Sequence, residues 1–227
     1  MYSLVLLNGG SGRRMGAPQP KQFLKVNGIP ILVYSLVAAA AVPEIDQIVL
    51  NYPEGWRPEV EGIVHDYAIR TRVDYVAAGE TRQESVARAL DLCVNDDVVL
   101  HEAARPLIRS VDFARLIKAP ERNVSFMLRI PFTVAPVDPA TNTVTGYLDR
   151  ETLRNVQLPQ KFSLADLKKA HEFAAAQHSH YTEDATLVAA AGLPVHYVDG
   201  LDTNIKVTTP TDIHLAVSLL HGQADDE

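Results

Sequence analysis

The chain is poor in several things whose scarcity narrows the field. It has one cysteine, Cys93, in 227 residues. That excludes an internal disulfide framework and leaves the cytoplasm as the expected compartment. No run of about 18 or more consecutive apolar residues occurs, so no membrane-spanning helix is expected. The opening MYSLVLLNGG has neither a basic leader nor a small-residue cleavage site, so no signal peptide is read. Basic charge is also short: the formal net charge is -7. A duplex nucleic-acid binder would be basic, so nucleic acid is not an expected partner, although a local basic site for phosphate fits the same total.

What is present is ample core material, 47% hydrophobic against 22% charged, enough for one α/β domain over residues 1–227. Strand-length β-branched runs recur at SLVLL (3–7), QIVLNY (47–52), RVDYVA (72–77), DVVLH (97–101), VSFMLRI (124–130) and PVHYVDG (194–200). Helix-like segments lie at 30–41, 81–93 and 111–119, and again at 163–177 and 209–222. Near-continuous apolar strands alternating with helices predict a mainly parallel sheet covered on both faces. Ligands of such sheets bind beyond the carboxyl ends of the strands. From Thr133 to Leu158 the rhythm breaks into a turn-rich, polar stretch, too long for a routine connection, and we expect a protruding β-arm there.

The first strand runs into LNGGSGRRMGAPQPKQF (7–23). A Walker loop would end in Gly-Lys-Ser/Thr, which is absent, and Met15 occupies the third glycine position of the dinucleotide fingerprint. What remains is a glycine loop followed by Arg13, Arg14 and Lys21. Glycines let backbone N–H groups approach phosphate oxygens, and the cations neutralise polyphosphate charge, so the loop is expected to hold a nucleotide.

GGSGRRMG…PKQFL resembles the signature of the cytidylyltransferases that move CMP from CTP to a polyol phosphate, among them the 2-C-methyl-D-erythritol 4-phosphate and ribitol 5-phosphate enzymes. Five further blocks match in order: GETRQESVARAL (79–90), LHEAARPLI (100–108), LDRETLRNVQLPQKF (148–162), TEDATLVAAAG (182–192) and NIKVTTPTDI (204–213). The resemblance implies a Rossmann-like fold of nucleotidyltransferase type. It places Arg14, Lys21 and Lys206 at cationic catalytic positions, and Asn8, Gly9, Gly10, Ser11, Gly12, Gly79, Glu80, Ser85 and Ala103 around the nucleotide. Thr133, Arg150, Thr182 and Arg105 fall at acceptor positions, and Glu102 and Asp202 at or beside metal positions, with Mg2+ or another divalent cation as cofactor. No general base is required, because the attacking phosphate is already anionic. In the resembling family the arm crosses to a second subunit, which implies a homodimer with CTP and a polyol phosphate as partners.

Four residues depart from that pattern. Glu102 stands for the usual Asp, Thr203 occupies the second metal-binding Asp position with Asp202 one residue earlier, Leu158 replaces a Thr, and Phe132 replaces an acidic residue. They keep ribitol 5-phosphate, or another polyol phosphate or phosphonate, open as acceptor beside 2-C-methyl-D-erythritol 4-phosphate. A hexose-1-phosphate nucleotidylyltransferase and a nucleotide-binding protein without catalysis are the remaining readings. His101, His171, His178, His180 and His214 show no metal-ligand spacing and are assigned to structure or surface.

Overall fold

The structure, a computed structural model, describes residues 1–10 and 19–224. Along the chain it runs β1 (Tyr2–Leu7), a hairpin of β2 (Lys25–Val26) and β3 (Ile29–Pro30), α1 (Ile31–Ala40), β4 (Ile45–Tyr52), α2 (Arg57–Asp66), β5 (Arg72–Ala77) and α3 (Arg82–Leu90). It continues through β6 (Asp97–Glu102), α4 (Ser110–Ile117), β7 (Val124–Arg129), the short pair β8 (Val137–Asp138) and β9 (Thr143–Val144), and β10 (Arg154–Ser163). The last elements are α5 (Leu164–Ala176), α6 (Asp184–Ala190), β11 (His196–Asp199) and α7 (Pro210–Ala224).

Seven strands form one sheet in the order β11-β7-β10-β6-β1-β4-β5. Successive side chains of each strand face opposite sides, so each strand feeds two cores. Leu4, Leu6, Ile48, Leu50 and Val99 meet Leu32 and Leu36 of α1, Val60 of α2 and Phe113 and Leu116 of α4. Val5, Val49, Val98 and Leu100 meet Val86 and Leu90 of α3, Leu167 and Ala170 of α5 and Leu187 of α6. Burial on both faces is why these strands read as unbroken apolar runs.

The expected strands and helices are present, and the seven-stranded sheet contains one strand the apolar pattern does not announce. β10 lies in the middle of the sheet, antiparallel to both β6 and β7. It carries Gln157, Gln160 and Lys161 buried, and each has fixed partners. Gln157 brackets Leu201 by donating to its carbonyl and accepting from its N–H, both within 3.0 Å. Lys161 Nζ donates to the carbonyls of Ile117 and Ala119 at 3.3 and 2.6 Å, where α4 ends and its carbonyls lack helical partners. The register against β7 shifts between Gln157 and Gln160, across the cis Leu158–Pro159 bond.

The arm is therefore shorter than 133–158. Arg154 to Leu158 belong to β10, and Leu158 is fully buried. Ahead of them, β8 and β9 pair antiparallel through Val137↔Val144 and Asp138↔Thr143, with Asn142 at φ 54° in the turn. Asn and Asp tolerate that left-handed conformation better than other residues with a Cβ. Among the described residues no helix is long and apolar enough to cross a membrane.

Candidate active site

Parallel pairing places Leu7 beside Glu102, so β1 and β6 end together. Ala103 N–H still donates to the Leu7 carbonyl at 3.0 Å, extending the ladder one step beyond the strands. The chain then diverges on either side, leaving a cleft of about 1110 Å³ between Asn8–Gly10, Lys21, the 78–85 turn, Glu102–Ala104 and Lys206. Gly9 is required by close approach: a Cβ there would stand 2.3 Å from the Cβ of Ala78.

The 78–85 turn is held by its own side chains. Ser85 Oγ accepts from Gly79 N–H and donates to the Thr81 carbonyl, each at 2.9 Å. Thr81 caps α3 by accepting from Glu84 N–H at 3.0 Å, and the Glu84 carboxylate accepts from Glu80 N–H at 2.9 Å. The segment expected to start a helix and to line the ligand site does both in this structure, which leaves the Glu80 side chain exposed and Ser85 buried.

Lys21 sits on a 3-10 turn, Lys21–Phe23, whose Gln22 and Phe23 are buried. Phe23 stacks on Trp56 with ring centroids 4.9 Å apart, and Gln22 donates to the Asn8 carbonyl. Lys21 Nζ donates to the Val207 carbonyl at 2.7 Å. That contact ties the loop after β1 to the 204–208 segment. The far segment is anchored by Asn204, whose amide donates to the Leu158 carbonyl at 2.6 Å while its own carbonyl accepts from Arg105 at 2.8 Å.

Glu102 is the electrostatic centre. It is 5% exposed. Lys206 Nζ lies 2.7 Å from Oε1, Arg105 Nε 3.3 Å from Oε2 and Arg82 Nε 3.8 Å from Oε1. Burial pushes this carboxyl up, but Lys206, Arg105 and Arg82 outweigh it and hold it below the usual glutamate range. Arg82 is itself gripped from behind by Asp184 at 2.6 Å and lies 3.5 Å from Glu183. Asp184 is buried and also takes His171 Nε2 at 3.1 Å; Arg82 and His171 offset its burial, so its carboxyl too is held low. Glu183 goes the other way, raised by burial.

The structure thus brings Asn8, Gly9, Gly10, Lys21, Gly79, Glu80, Ser85, Glu102, Ala103 and Lys206 to one cleft, with Arg105 on the buried side of Glu102. Arg14, Ser11 and Gly12 lie outside the described residues. Thr133, Arg150 and Thr182 do not line the cleft. Arg150 reaches the Pro131 carbonyl at 3.3 Å, beside Thr133, and Thr182 is exposed just before Glu183, the residue that starts α6 in the place where Thr182 could have capped it. Asp202 is exposed on the turn ahead of Asn204. The sequence pattern gives Arg82, Asp184 and His171 no role at the site. Their contacts span 102 and 13 residues, and the spacing of charges gives no signal for them.

Among the described residues no group of three or more His, Cys, Asp or Glu is placed to hold a metal ion. One buried carboxylate, Glu102, does line the cleft. Mg2+ commonly takes one or two carboxylates together with substrate phosphates and water. The donor set fits an ion that arrives with a polyphosphate.

The profile of the 2-C-methyl-D-erythritol 4-phosphate cytidylyltransferase family (IspD) matches residues 2–222. The chain is 36% identical to the enzyme of that name from Bacillus cytotoxicus over 98% of this chain and 99% of that one. It is 35% identical to the one from Acidobacterium capsulatum over 96% of each. Its fold is similar to the 4-diphosphocytidyl-2C-methyl-D-erythritol synthase from Anaerococcus prevotii, with a TM-score of 0.85, 26% identity and 97% and 96% of the two chains covered. It is similar also to the 2-C-methyl-D-erythritol 4-phosphate cytidylyltransferase from Thermus thermophilus, with a TM-score of 0.76, 30% identity and 96% and 98% covered. The Rossmann-like sheet, the ordered motifs and these likenesses agree: the chain belongs to the 2-C-methyl-D-erythritol 4-phosphate cytidylyltransferase family.

Proposed function

We propose that this protein transfers CMP from CTP to the phosphate of 2-C-methyl-D-erythritol 4-phosphate, releasing pyrophosphate, as a step of isoprenoid precursor synthesis in the cytoplasm. The observation that carries the reading is the ring of Lys206, Arg105 and Arg82 on Glu102, at the mouth of a cleft that begins with a glycine loop. Bringing one phosphate dianion onto the α-phosphorus of a triphosphate requires cations fixed in advance, since mutual repulsion is the main barrier. Lys21 and Lys206 supply two of them, and Arg14, outside the described residues, is the third.

The acceptor phosphate attacks the α-phosphorus in line, and the bond to the bridging oxygen breaks as pyrophosphate leaves. Lys21 steadies the charge growing on the α- and β-phosphates; Lys206 screens the incoming phosphate. Mg2+ bound with CTP would neutralise triphosphate charge, held by Glu102, with Asp202 on the exposed turn ahead of Asn204 as the second proposed carboxylate. Arg105 keeps Glu102 in place and borders the acceptor. Thr133 and Arg150, on the exposed arm, are acceptor contacts that we propose a second copy presents in a homodimer, and Thr182, just before Glu183, is a third acceptor contact.

Leu158 favours keeping a second acceptor in view. It is fully buried and offers no hydroxyl where the resembling enzymes carry Thr. Pyrophosphate release from CTP, measured against 2-C-methyl-D-erythritol 4-phosphate, ribitol 5-phosphate and a hexose 1-phosphate, tests the reading. The expected result is turnover with the erythritol phosphate at the highest kcat/KM. Turnover with ribitol 5-phosphate instead moves the acceptor, and none with any acceptor leaves a nucleotide-binding protein.

A further inference from the structure

From Gly200 to Thr209 the chain has neither helix nor strand, and Lys206 sits inside that stretch. A segment without a ladder of its own takes its path from outside contacts, because its backbone groups must find partners elsewhere. At the far end Val207 is fully buried against Val26, Ile31 and Ala216. At the near end the partner is a side chain of the central sheet. Gln157, 5% exposed on β10, donates from Nε2 to the Leu201 carbonyl at 2.9 Å and accepts from Leu201 N–H at 3.0 Å. One amide thus does for Leu201 what a neighbouring strand would do. The Leu201 carbonyl also takes Asn204 N–H at 3.0 Å, closing the turn that leads into Lys206.

We infer that Gln157 is a positioning residue for Lys206, an inference that rests on the role given to Lys206 above. Two features set this amide apart from a buried polar group that only satisfies itself. Both of its atoms bond the backbone of one residue, so it fixes the path of the chain and not a side chain that could turn away. The chain also leaves room for it. A Cβ on Gly200 would stand 2.6 Å from Gln157 Oε1, so a glycine there lets the amide reach the next residue. The ion pair with Glu102 at 2.7 Å fixes only the tip of Lys206, whose side chain is 38% exposed. Its flexible four-carbon stem leaves the backbone to set where the ammonium is presented. A displacement of about 1 Å at such a group can cost about a hundredfold in rate, even when the altered residue lies away from the chemistry. Gln157 does not line the cleft, and it acts on the reaction through Lys206 without touching substrate.

The test is Gln157→Ala, with Gly200→Ala in its place should the first not fold, since the added methyl displaces the amide from the opposite side. In the variant, kcat/KM for 2-C-methyl-D-erythritol 4-phosphate should fall by about tenfold or more, while CTP binds within about twofold of the wild-type protein. The same substitution in a Lys206→Ala background should cost less than about twofold further, because its effect passes through the lysine. An equal loss in both backgrounds makes Gln157 a stability residue alone and overturns the inference, as does an unchanged kcat/KM in the folded variant. A wild-type protein that turns over no acceptor would instead remove the proposed function, and amide hydrogen exchange then decides the inference by itself. The amides of Leu201 to Val207 should exchange at least about tenfold faster in the variant, with those of Lys161 and Phe162 on β10 unchanged. Equal exchange across 201–207 overturns the inference whatever the turnover.

Discussion

The cleft and the arm are opposite kinds of structure. Around Glu102 the charges of Lys206, Arg105, Arg82 and Asp184 each have an opposite within 4 Å, on side chains that are buried or half-buried and that arrive from α3, β6 and the turn after it, α6 and the 204–208 segment. On the arm, Phe132, Val137, Val144, Tyr147 and Leu148 are exposed, Phe132 by 77% and Tyr147 by 79%. Its β8–β9 pair is two residues long on each side. An isolated ladder of that size is marginal in water. The cleft is built within one chain, whereas the arm carries apolar side chains and an arginine with little of their own chain to meet. In the homodimer proposed above, the arm is the part that a second copy would cover.

The sharpest way to break the cleft is to remove a cation. Lys21→Ala is expected to lower kcat by a hundredfold or more while the circular dichroism spectrum stays native, because the loss is of transition-state stabilisation. Near-normal turnover would leave the Lys21–Val207 tie as a purely structural contact.

Removing the central anion should cost stability as well. Glu102→Gln leaves Lys206 and Arg105 facing a neutral amide, and breaking a buried ion pair from one side typically costs about 3–5 kcal/mol. The pH dependence follows from the same carboxylates. Glu102 and Asp184 have folded pKa values below their usual ones, so their contribution is present above the ordinary carboxylate range and lost as pH falls through the depressed values. Glu183, raised by burial, adds most at acid pH and loses its share as pH climbs through its folded value. Urea unfolding between pH 7 and pH 3 should show wild-type stability declining toward acid, with a shallower decline in Glu102→Gln. Equal slopes would place the acid-sensitive groups elsewhere.

Gly9→Ala should come next, at about 1–3 kcal/mol, since its Cβ must displace Ala78 or move the loop. Unchanged thermal stability would mean the two turns separate freely. The smallest stability change belongs to the arm. Tyr147→Ser should alter monomer stability by no more than about 0.5 kcal/mol, as exposed sites do, yet shift the oligomer toward monomer in sedimentation. A monomer in the unsubstituted protein at assay concentration would end the comparison.

The sequence made most of the sheet legible, because strands buried on both faces announce themselves: RVDYVA is β5 to the residue. It hid β10, where Gln157, Gln160 and Lys161 replace apolar residues and are satisfied by partners from other elements. It hid α2, whose two buried side chains, Val60 and Val64, are too few to mark a stripe. At the site, Glu102 and Lys206 were each named by resemblance, but the ion pair joining them crosses 104 residues. Pairings at that distance follow from the packed sheet and are invisible to local pattern. The arm was visible as a break in rhythm, though its end was not, since Leu158 reads the same in a loop as in a buried strand.

The central claim, a nucleotide end complete in each chain and an acceptor end shared between two, is tested most directly by mixing Lys21→Ala with Arg150→Ala. Each variant should be inactive by itself. In a random mixture half the dimers are mixed and each of those regains one intact site, so activity should return to about a quarter of the wild-type value. Mixtures that stay as inactive as their components, with exchange of subunits verified, would contradict the shared site and return Arg150 to its own chain.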